Sequence, residues 1–407
     1  MTAFGVLQTK LAPPPIRTDY IHRPRLSPQF GVSLEPVVTL VCAPAGYGKT
    51  TLLAEWFVSH AEAVHSVGWL SLDEDDNDPT RFLIYLITAV RNASGIDMEE
   101  TLSLLHSPQP PSPKVILNVI ISRLEDSPRR LVLVLDDYHR INDKVVHEAL
   151  IYLLDHLPSS IHLVIASRED PPFPLARLRG RGQLAEIRAD DLRFTLEEAK
   201  QFLGQMLGVE LSANQIKDLE ARTEGWIAGL QLAVLAMKGR ENLAAFIAAF
   251  TGSHRYILDF LSEEVLKRQT QDIQNFLLQT SLLDRLCGPL CDAVTGRSDG
   301  RSLLEQIEHG NLFLIPLDDE RFWYRYHHLF GDMLRRQLQK INPSLVNELH
   351  RRASLWFEQN GWASEALEHA LLSQDTEQAA RLVQKTVEEI TLAGQAQTIL
   401  RWMNTFA

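Results

Sequence analysis

Ala43-Pro44-Ala45-Gly46-Tyr47-Gly48-Lys49-Thr50-Thr51 decides the fold of this chain. An apolar run, Val37 to Cys42, precedes it, and a helix-compatible segment, Leu52 to Phe57, follows it. Strand, Gly-rich turn, Lys-Thr and helix, in that order, make a phosphate loop. The backbone N–H groups of Gly46, Tyr47 and Gly48, with the helix N-terminus behind them, offer positive partial charge to a polyphosphate. Lys49 can reach β- and γ-phosphates, Thr50 offers a hydroxyl to Mg²⁺, and Thr51 is placed to steady the α-phosphate. Ala43 stands where the pattern has its first Gly, but Gly46 and Gly48 still allow close backbone approach. Gly-x-Gly alone would read as a structural turn; Lys-Thr-Thr and both flanks take it further.

A phosphate loop needs a metal carboxylate on a nearby strand. Leu131-Val132-Leu133-Val134-Leu135-Asp136-Asp137 supplies one: five apolar residues predict a buried parallel strand ending in two carboxylates. That end is where open α/β sheets bind ligands. Asp136 is expected to hold Mg²⁺ through water and Asp137 to direct the attacking water, so these two are the candidate catalytic residues. A lone Asp-Asp pair would read as a turn or helix cap. A third strand, Ile161 to Ser167, ends at Arg168, a candidate sensor of the γ-phosphate or a surface Arg closing a strand. A fourth, Ser66 to Leu72, runs into Asp73-Glu74-Asp75-Asp76-Asn77-Asp78-Pro79, a solvated loop or, preferably, a cap for a helix starting near Thr80.

With 407 residues, the chain should hold two or more domains. No apolar stretch is long enough to span a membrane, and Met1 to Lys10 lacks the pattern of a secretion signal. Cys42, Cys287 and Cys291 cannot build a disulfide framework, and the latter two have no His partners nearby for zinc, so buried thiols in a cytoplasmic protein are expected. A formal net charge of -12 argues against a nucleic-acid surface on this segment.

After Phe194 the texture becomes helical. Thr195-Leu196-Glu197-Glu198 is a capping box. Helices are expected over about Glu197–Leu207, Ser212–Thr223, Gly225–Lys238, Arg255–Arg268, Gln271–Leu282 and Leu303–His309. Leu312 to Tyr326 then reads as a hairpin, and helices leading into a short β-wing predict a winged helix. Arg321, Arg325, Arg335, Arg336, Arg351 and Arg352 are interspersed with acids and aromatics, which does not make a DNA surface. From Leu349 paired helices, Leu349–Asn360, Ala363–Ser373 and Asp375–Glu389, look like the start of a superhelix. The chain stops inside that pattern, at Phe406-Ala407, and is read as a fragment, natural or truncated.

In their order these residues resemble the MalT-type regulators, large LuxR-family members of the signal-transduction ATPases with numerous domains. The resemblance is carried by Lys10-Leu11, Pro13 to Pro15, Arg17 and His22-Arg23-Pro24-Arg25-Leu26, then by the phosphate loop. It continues through Trp69-Leu70-Ser71-Leu72-Asp73, Asp76-Asn77, Arg81-Phe82, Asp136-Asp137-Tyr138-His139, Ala166-Ser167-Arg168, Leu178-Arg179, Gly225-Trp226, Tyr326-His327, Leu329-Phe330 and Gly361-Trp362. Ile227 stands where many members have Pro near the adenine, and His328 follows His327 where another residue is usual. The resemblance implies adenine-side contacts at Ile21 and Arg23, a Gly225–Leu230 turn near adenine and ribose, and a contact of His327 with the β-phosphate of ADP. Taken alone, a His beside aromatics is a packed residue.

The expected architecture is an α/β phosphate-loop domain (parallel sheet, three layers) over 1–194, a helical domain over 195–262, a winged helix over 263–348, and the start of a tetratricopeptide-like arm over 349–407. The expected function is an ATP/ADP switch with Mg²⁺: closed with ADP, self-associating with ATP, reset by slow hydrolysis. An inducer would act through a sensor outside this segment, which itself binds neither DNA nor membrane. A phosphate-loop small-molecule kinase and a helical-repeat scaffold with a vestigial site are the alternatives.

Overall fold

The computed structural model describes residues 6–16, 20–26, 37–61, 66–107, 109–125, 131–238, 240 and 242–383. Five parallel strands form the sheet: β1 (Val38–Cys42), β2 (Ser66–Ser71), β3 (Leu131–Asp136), β4 (Ile161–Ser167) and β5 (Leu184–Ile187), in the order β2-β3-β4-β1-β5. β4 pairs Val38 with Leu163 on one side and Leu131 with Ile161 on the other. The strand carrying the acidic pair is therefore one strand removed from the loop strand. Parallel neighbours require helical crossovers, which cover both faces and make the strands mostly apolar. Leu40, Cys42, Leu70, Leu133 and Ile165 share one face with Phe82, Leu86 and Val90 of α2 (Pro79–Ser94). On the other face Trp69 meets Phe57 of α1 (Lys49–Ala61), rings edge-to-face at 6.0 Å. β5 was not expected: it has four residues and sits at the sheet edge.

The acidic turn is partly a cap and partly something else. Asp78 accepts from Arg81 N–H and caps α2, and Asp73 caps the short 3₁₀ turn Glu74–Asn77. Asp76, however, is fully buried and pairs with Lys10, whose Nζ also lies 3.0 Å from Asp73. A buried carboxylate demands such a partner, so the solvated-loop alternative is set aside.

Helices Leu196–Leu207, Ala213–Thr223, Ile227–Met237 and Leu243–Ala249 follow. The first two start on capping boxes, Thr195 with Glu198 and Ser212 with Gln215. The chain divides into two compact units at Ala248 and Ala249. In the second unit Arg255–Glu264 packs on His328–Ile341. A Cβ on Gly252 would stand 2.0 Å from the Leu329 carbonyl, which fixes that approach. This places the segment before residue 262 with the second unit.

The winged helix comprises helices Gln271–Thr280, Gly288–Thr295 and Gly300–His309, then the antiparallel hairpin of Leu314–Pro316 and Tyr324–Tyr326, with Leu286 bridging to Tyr324. Cys287 and Cys291 are buried at the start of the 288–295 helix as free thiols, as is Cys42 in β1. Beyond lies a helical arm, Pro343–Gln359 against Ala363–Leu372, joined by Ser354 Oγ donating to the Ala366 carbonyl at 2.7 Å. Arg17 and the end of the expected Asp375–Glu389 helix fall outside the described residues; 376–383 are helical. No helix among the described residues is long and apolar enough to cross a membrane.

Candidate functional site

The loop between β1 and α1 turns at Gly46 and Gly48, with φ of 79° and 77°. Only there does the backbone enter the left-handed region that favours Gly. Ala43, ahead of both, has no such φ, so its departure from the Gly pattern costs nothing. The loop delivers Lys49 to the start of α1, where helix N–H groups have no acceptor within the helix. Lys49 is buried, and its Nζ donates to the carbonyls of Ala43 at 2.7 Å and Pro44 at 3.0 Å. Burial, then the charge of Arg168, pushes its pKa down to about 8. An ammonium in that condition favours an anion.

Thr50 Oγ1 donates to Asp136 Oδ1 at 3.1 Å, and the Asp137 N–H donates to the same oxygen at 3.0 Å. Asp136 is 2% exposed. Burial, then the charge of Asp137, pushes its carboxyl up to about 7. Asp137 itself sits at φ 57°, a conformation that Asp tolerates better than most residues. Its carboxylate is half-exposed and lies 3.9 Å from His139 Nδ1. Arg168, just past β4, stands close enough to Lys49 to be the second cause of its shift. β4 lies between the loop strand and the acidic strand, and this brings Lys49, Thr50, Asp136, Asp137 and Arg168 to the C-terminal end of the sheet.

The remaining expected residues are placed as follows. Tyr47 is buried, with its hydroxyl beside Arg193 and Glu224 and its pKa raised by burial, so only its backbone belongs to the loop surface. Thr51 is exposed on the first turn of α1. Ile21 and Arg23 are both buried. Arg23 Nη1 donates to the Leu192 carbonyl at 3.0 Å, its guanidinium lies over Phe194, and burial lowers its pKa. A Cβ on Gly48 would meet Ile227 Cδ1 at 3.0 Å and Arg23 Nη2 at 3.7 Å. The N-terminal segment, the loop and the Gly225–Leu230 turn therefore converge. His327 is in the second unit: buried, the N-cap residue of 328–341, its N–H on the Phe313 carbonyl at 2.8 Å and its ring edge-to-face with Phe313.

Asn77 was singled out in the sequence only as part of the resemblance. Its Oδ1 accepts from the N–H groups of Asn142 at 2.6 Å and Asp143 at 2.8 Å, and its Nδ2 donates to the carbonyls of Arg140 and Glu74. It ties the acidic turn to the segment that follows Asp137. An Asn among carboxylates carries no periodic signal that would reveal such a role.

The donor set is a hydroxyl and a buried carboxylate, both hard oxygen ligands of the kind Mg²⁺ takes together with substrate phosphates. Beside them are a buried ammonium and a helix N-terminus, which suit the phosphates. No group of three or more His, Cys, Asp or Glu able to hold a metal by itself occurs among the described residues. The hydroxyl of Thr50 and the carboxylate of Asp136 fit Mg²⁺ held together with phosphate oxygens.

Comparison with known proteins agrees with the fold. Residues 262–346 match the MalT winged helix domain family. The chain is 36% identical over 403 residues to the HTH-type transcriptional regulator MalT of Klebsiella pneumoniae, covering 96% of this chain and 44% of that protein. It is 33% identical over 392 residues to the serine/threonine-protein kinase PknK of Mycobacterium tuberculosis, covering 96% of this chain and 35% of that protein. The chain thus spans less than half the length of these relatives. Its fold resembles the Walker-type ATPase of Pyrococcus abyssi, with a TM-score of 0.54 at 15% identity over 79% of this chain and 97% of that one. Over nearly its whole length this chain is similar both to MalT and to PknK, and its residues 262–346 match the MalT winged helix domain family.

Proposed function

We propose that this segment is a nucleotide-dependent switch: it binds ATP or ADP with Mg²⁺ at the phosphate loop and turns the presence of the γ-phosphate into a change of state. The observation that carries the reading is the meeting of Lys49, Thr50, Asp136 and Arg168 at the C-terminal end of the sheet. Mg²⁺, when bound, neutralises phosphate charge and orders the phosphate oxygens. Lys49 and the loop N–H groups hold the β-phosphate side, and Thr50 and Asp136 hold the metal. Asp137 orients water, and Arg168 senses the γ-phosphate. Because ATP and ADP differ only there, Arg168 is where a difference between the two states must begin.

The relatives support a switch over a small-molecule kinase. A protein named as a serine/threonine-protein kinase and one named as an HTH-type transcriptional regulator share this stretch at similar identity, so their common part is better read as a control module than as the seat of either named activity. The winged helix does not favour DNA. Arg335 pairs with Asp284 and Asp332, Arg351 and Arg352 with Glu348, and Arg321 with Glu308. We further infer slow hydrolysis, self-association in the ATP state, and an inducer acting through a sensor outside these residues, with His327 meeting the β-phosphate of ADP in the resting state. The domain limits at 194, 262 and 348 belong to the same proposal.

The test is to identify the nucleotide that purifies with the protein and to follow mass by light scattering after exchange for Mg-ATP or Mg-ADP. Retained ADP and ATP-dependent growth in mass are expected. An empty site that binds neither nucleotide would favour the scaffold alternative.

A further inference from the structure

Four successive carbonyls of the phosphate loop are engaged. Lys49 Nζ takes those of Ala43 and Pro44. The indole Nε1–H of Trp226 donates to the Ala45 carbonyl at 3.0 Å, and the Ala228 N–H donates to the Gly46 carbonyl at 3.0 Å. The first pair of bonds comes from the loop's own helix, the second from the start of helix Ile227–Met237. A trans peptide is planar, so its C=O and N–H point in opposite directions. Fixing the Ala45 carbonyl fixes the N–H of Gly46, and fixing the Gly46 carbonyl fixes the N–H of Tyr47. These are N–H groups that a phosphate loop aims at its ligand.

The approach leaves no slack. A Cβ on Gly46 would lie 2.5 Å from Ala228 Cβ and 2.8 Å from Trp226 Nε1. Trp226 is wholly buried. Its turn is held from behind: Gly225 has φ 69°, a Cβ there would stand 2.7 Å from the Phe194 carbonyl, and the Phe194 N–H donates to the Gly225 carbonyl at 2.9 Å.

We propose that Trp226 is a positioning residue of the nucleotide site, acting through peptide 45–46, beside the Ala228 N–H on peptide 46–47, and not by touching the base. Seating of helix Ile227–Met237 and occupancy of the loop by phosphate are then one linked equilibrium, in which each biases the other by the same factor. This rests on the nucleotide reading above. It gives the helical layer a direct mechanical report of the loop's state.

The experiment compares wild type with Trp226→Phe, which keeps an aromatic ring, though a smaller one, and deletes the donor. The probes are Mg-ADP, inorganic pyrophosphate with Mg²⁺, and adenosine, measured by competition against a fluorescent ADP. ADP and pyrophosphate should weaken together by about tenfold, the effect of leaving one buried carbonyl unpaired, with adenosine unchanged. Loss confined to ADP and adenosine, or no loss at all, overturns the proposal. Wild type binding neither ADP nor pyrophosphate overturns the nucleotide reading instead. If Trp226→Phe fails to fold, hydrogen exchange on the unaltered protein decides: pyrophosphate should slow exchange along Ile227–Met237, and unchanged exchange overturns the coupling.

Discussion

Thr50 and Asp136 stand 86 positions apart in the chain, yet the hydroxyl of one donates to the carboxylate of the other at 3.1 Å. The contact spans β4, so it exists only if the three strands β1, β4 and β3 lie in that order. It joins the two oxygen donors that a phosphate-bound Mg²⁺ needs, and its energetics yield a pH dependence.

Asp136 is held near 7 by burial and by Asp137, against 3.8 ordinarily. Between these values the folded protein binds a proton that the unfolded chain has released. Stability without nucleotide should therefore fall as pH rises from about 4 to about 7 by this group's contribution. Metal binding needs the ionised form, so Mg²⁺-dependent nucleotide affinity should weaken as pH drops below about 7. Calorimetry across pH 6 to 8.5, in two buffers of different ionisation enthalpy, should show proton release on binding that vanishes in Asp136→Asn. Equal proton release in that variant would assign the titration elsewhere.

Lys49→Ala should weaken both ATP and ADP. A charge-assisted hydrogen bond contributes about 1.5–3 kcal/mol, which is about ten- to a hundredfold in affinity. Circular dichroism checks the fold and calorimetry the affinity; undiminished binding by a folded variant would remove Lys49 from the site.

Asp137→Asn should keep nucleotide binding and slow single-turnover hydrolysis, on the order of a hundredfold. Asn is well suited to the left-handed φ of 57°, so the backbone should hold. Asp136 keeps the metal. A wild-type rate would show that this carboxylate serves only to start the short 3₁₀ turn Tyr138–Arg140.

Gly46→Ala meets two costs, a positive φ and the Ala228 side chain. Gly95, at φ 71° with nothing near its Cβ position, meets only the first. The left-handed cost is about 1–2 kcal/mol in each. Gly46→Ala should therefore lower the melting temperature distinctly more than Gly95→Ala. Equal losses would mean that the loop and the 226–228 turn separate easily.

What the sequence reveals and conceals follows from range. Val38–Cys42, Leu131–Asp136 and Ile161–Ser167 are largely apolar runs, legible because a strand covered on both faces admits little else. β5 has Glu186 inside it and gains its strand character only from pairing with β1. The 288–295 helix is short and opens on Gly288-Pro289, which reads as a turn, although Pro is at home in a first helical turn. At the site, Lys49, Thr50 and Asp136 are visible because local spacing encodes them. The Trp226 bond to Ala45 and the Lys10 pairing with Asp76 are encoded by nothing local and emerge only in the fold.

His327 carries the most exposed prediction. Within the second unit its ring is edge-to-face with Phe313, centroids 5.6 Å apart, and its backbone caps the helix that follows. Packing alone would explain a buried His there. The switch proposal asks more: that the imidazole donates to the β-phosphate of ADP and holds the resting state. Such a bond contributes about 1.5–3 kcal/mol. Its loss should shift a two-state balance by about one to two orders of magnitude. His327→Ala should then release ADP faster and self-associate more readily with Mg-ATP, whereas His327→Phe, which restores ring packing without a donor, should behave like the Ala variant in release but melt nearer wild type. Stopped-flow release of a fluorescent ADP, light scattering and thermal melting measure the three. If the Phe variant releases ADP at the wild-type rate, the ring matters for packing only, and the resting state is held by another residue.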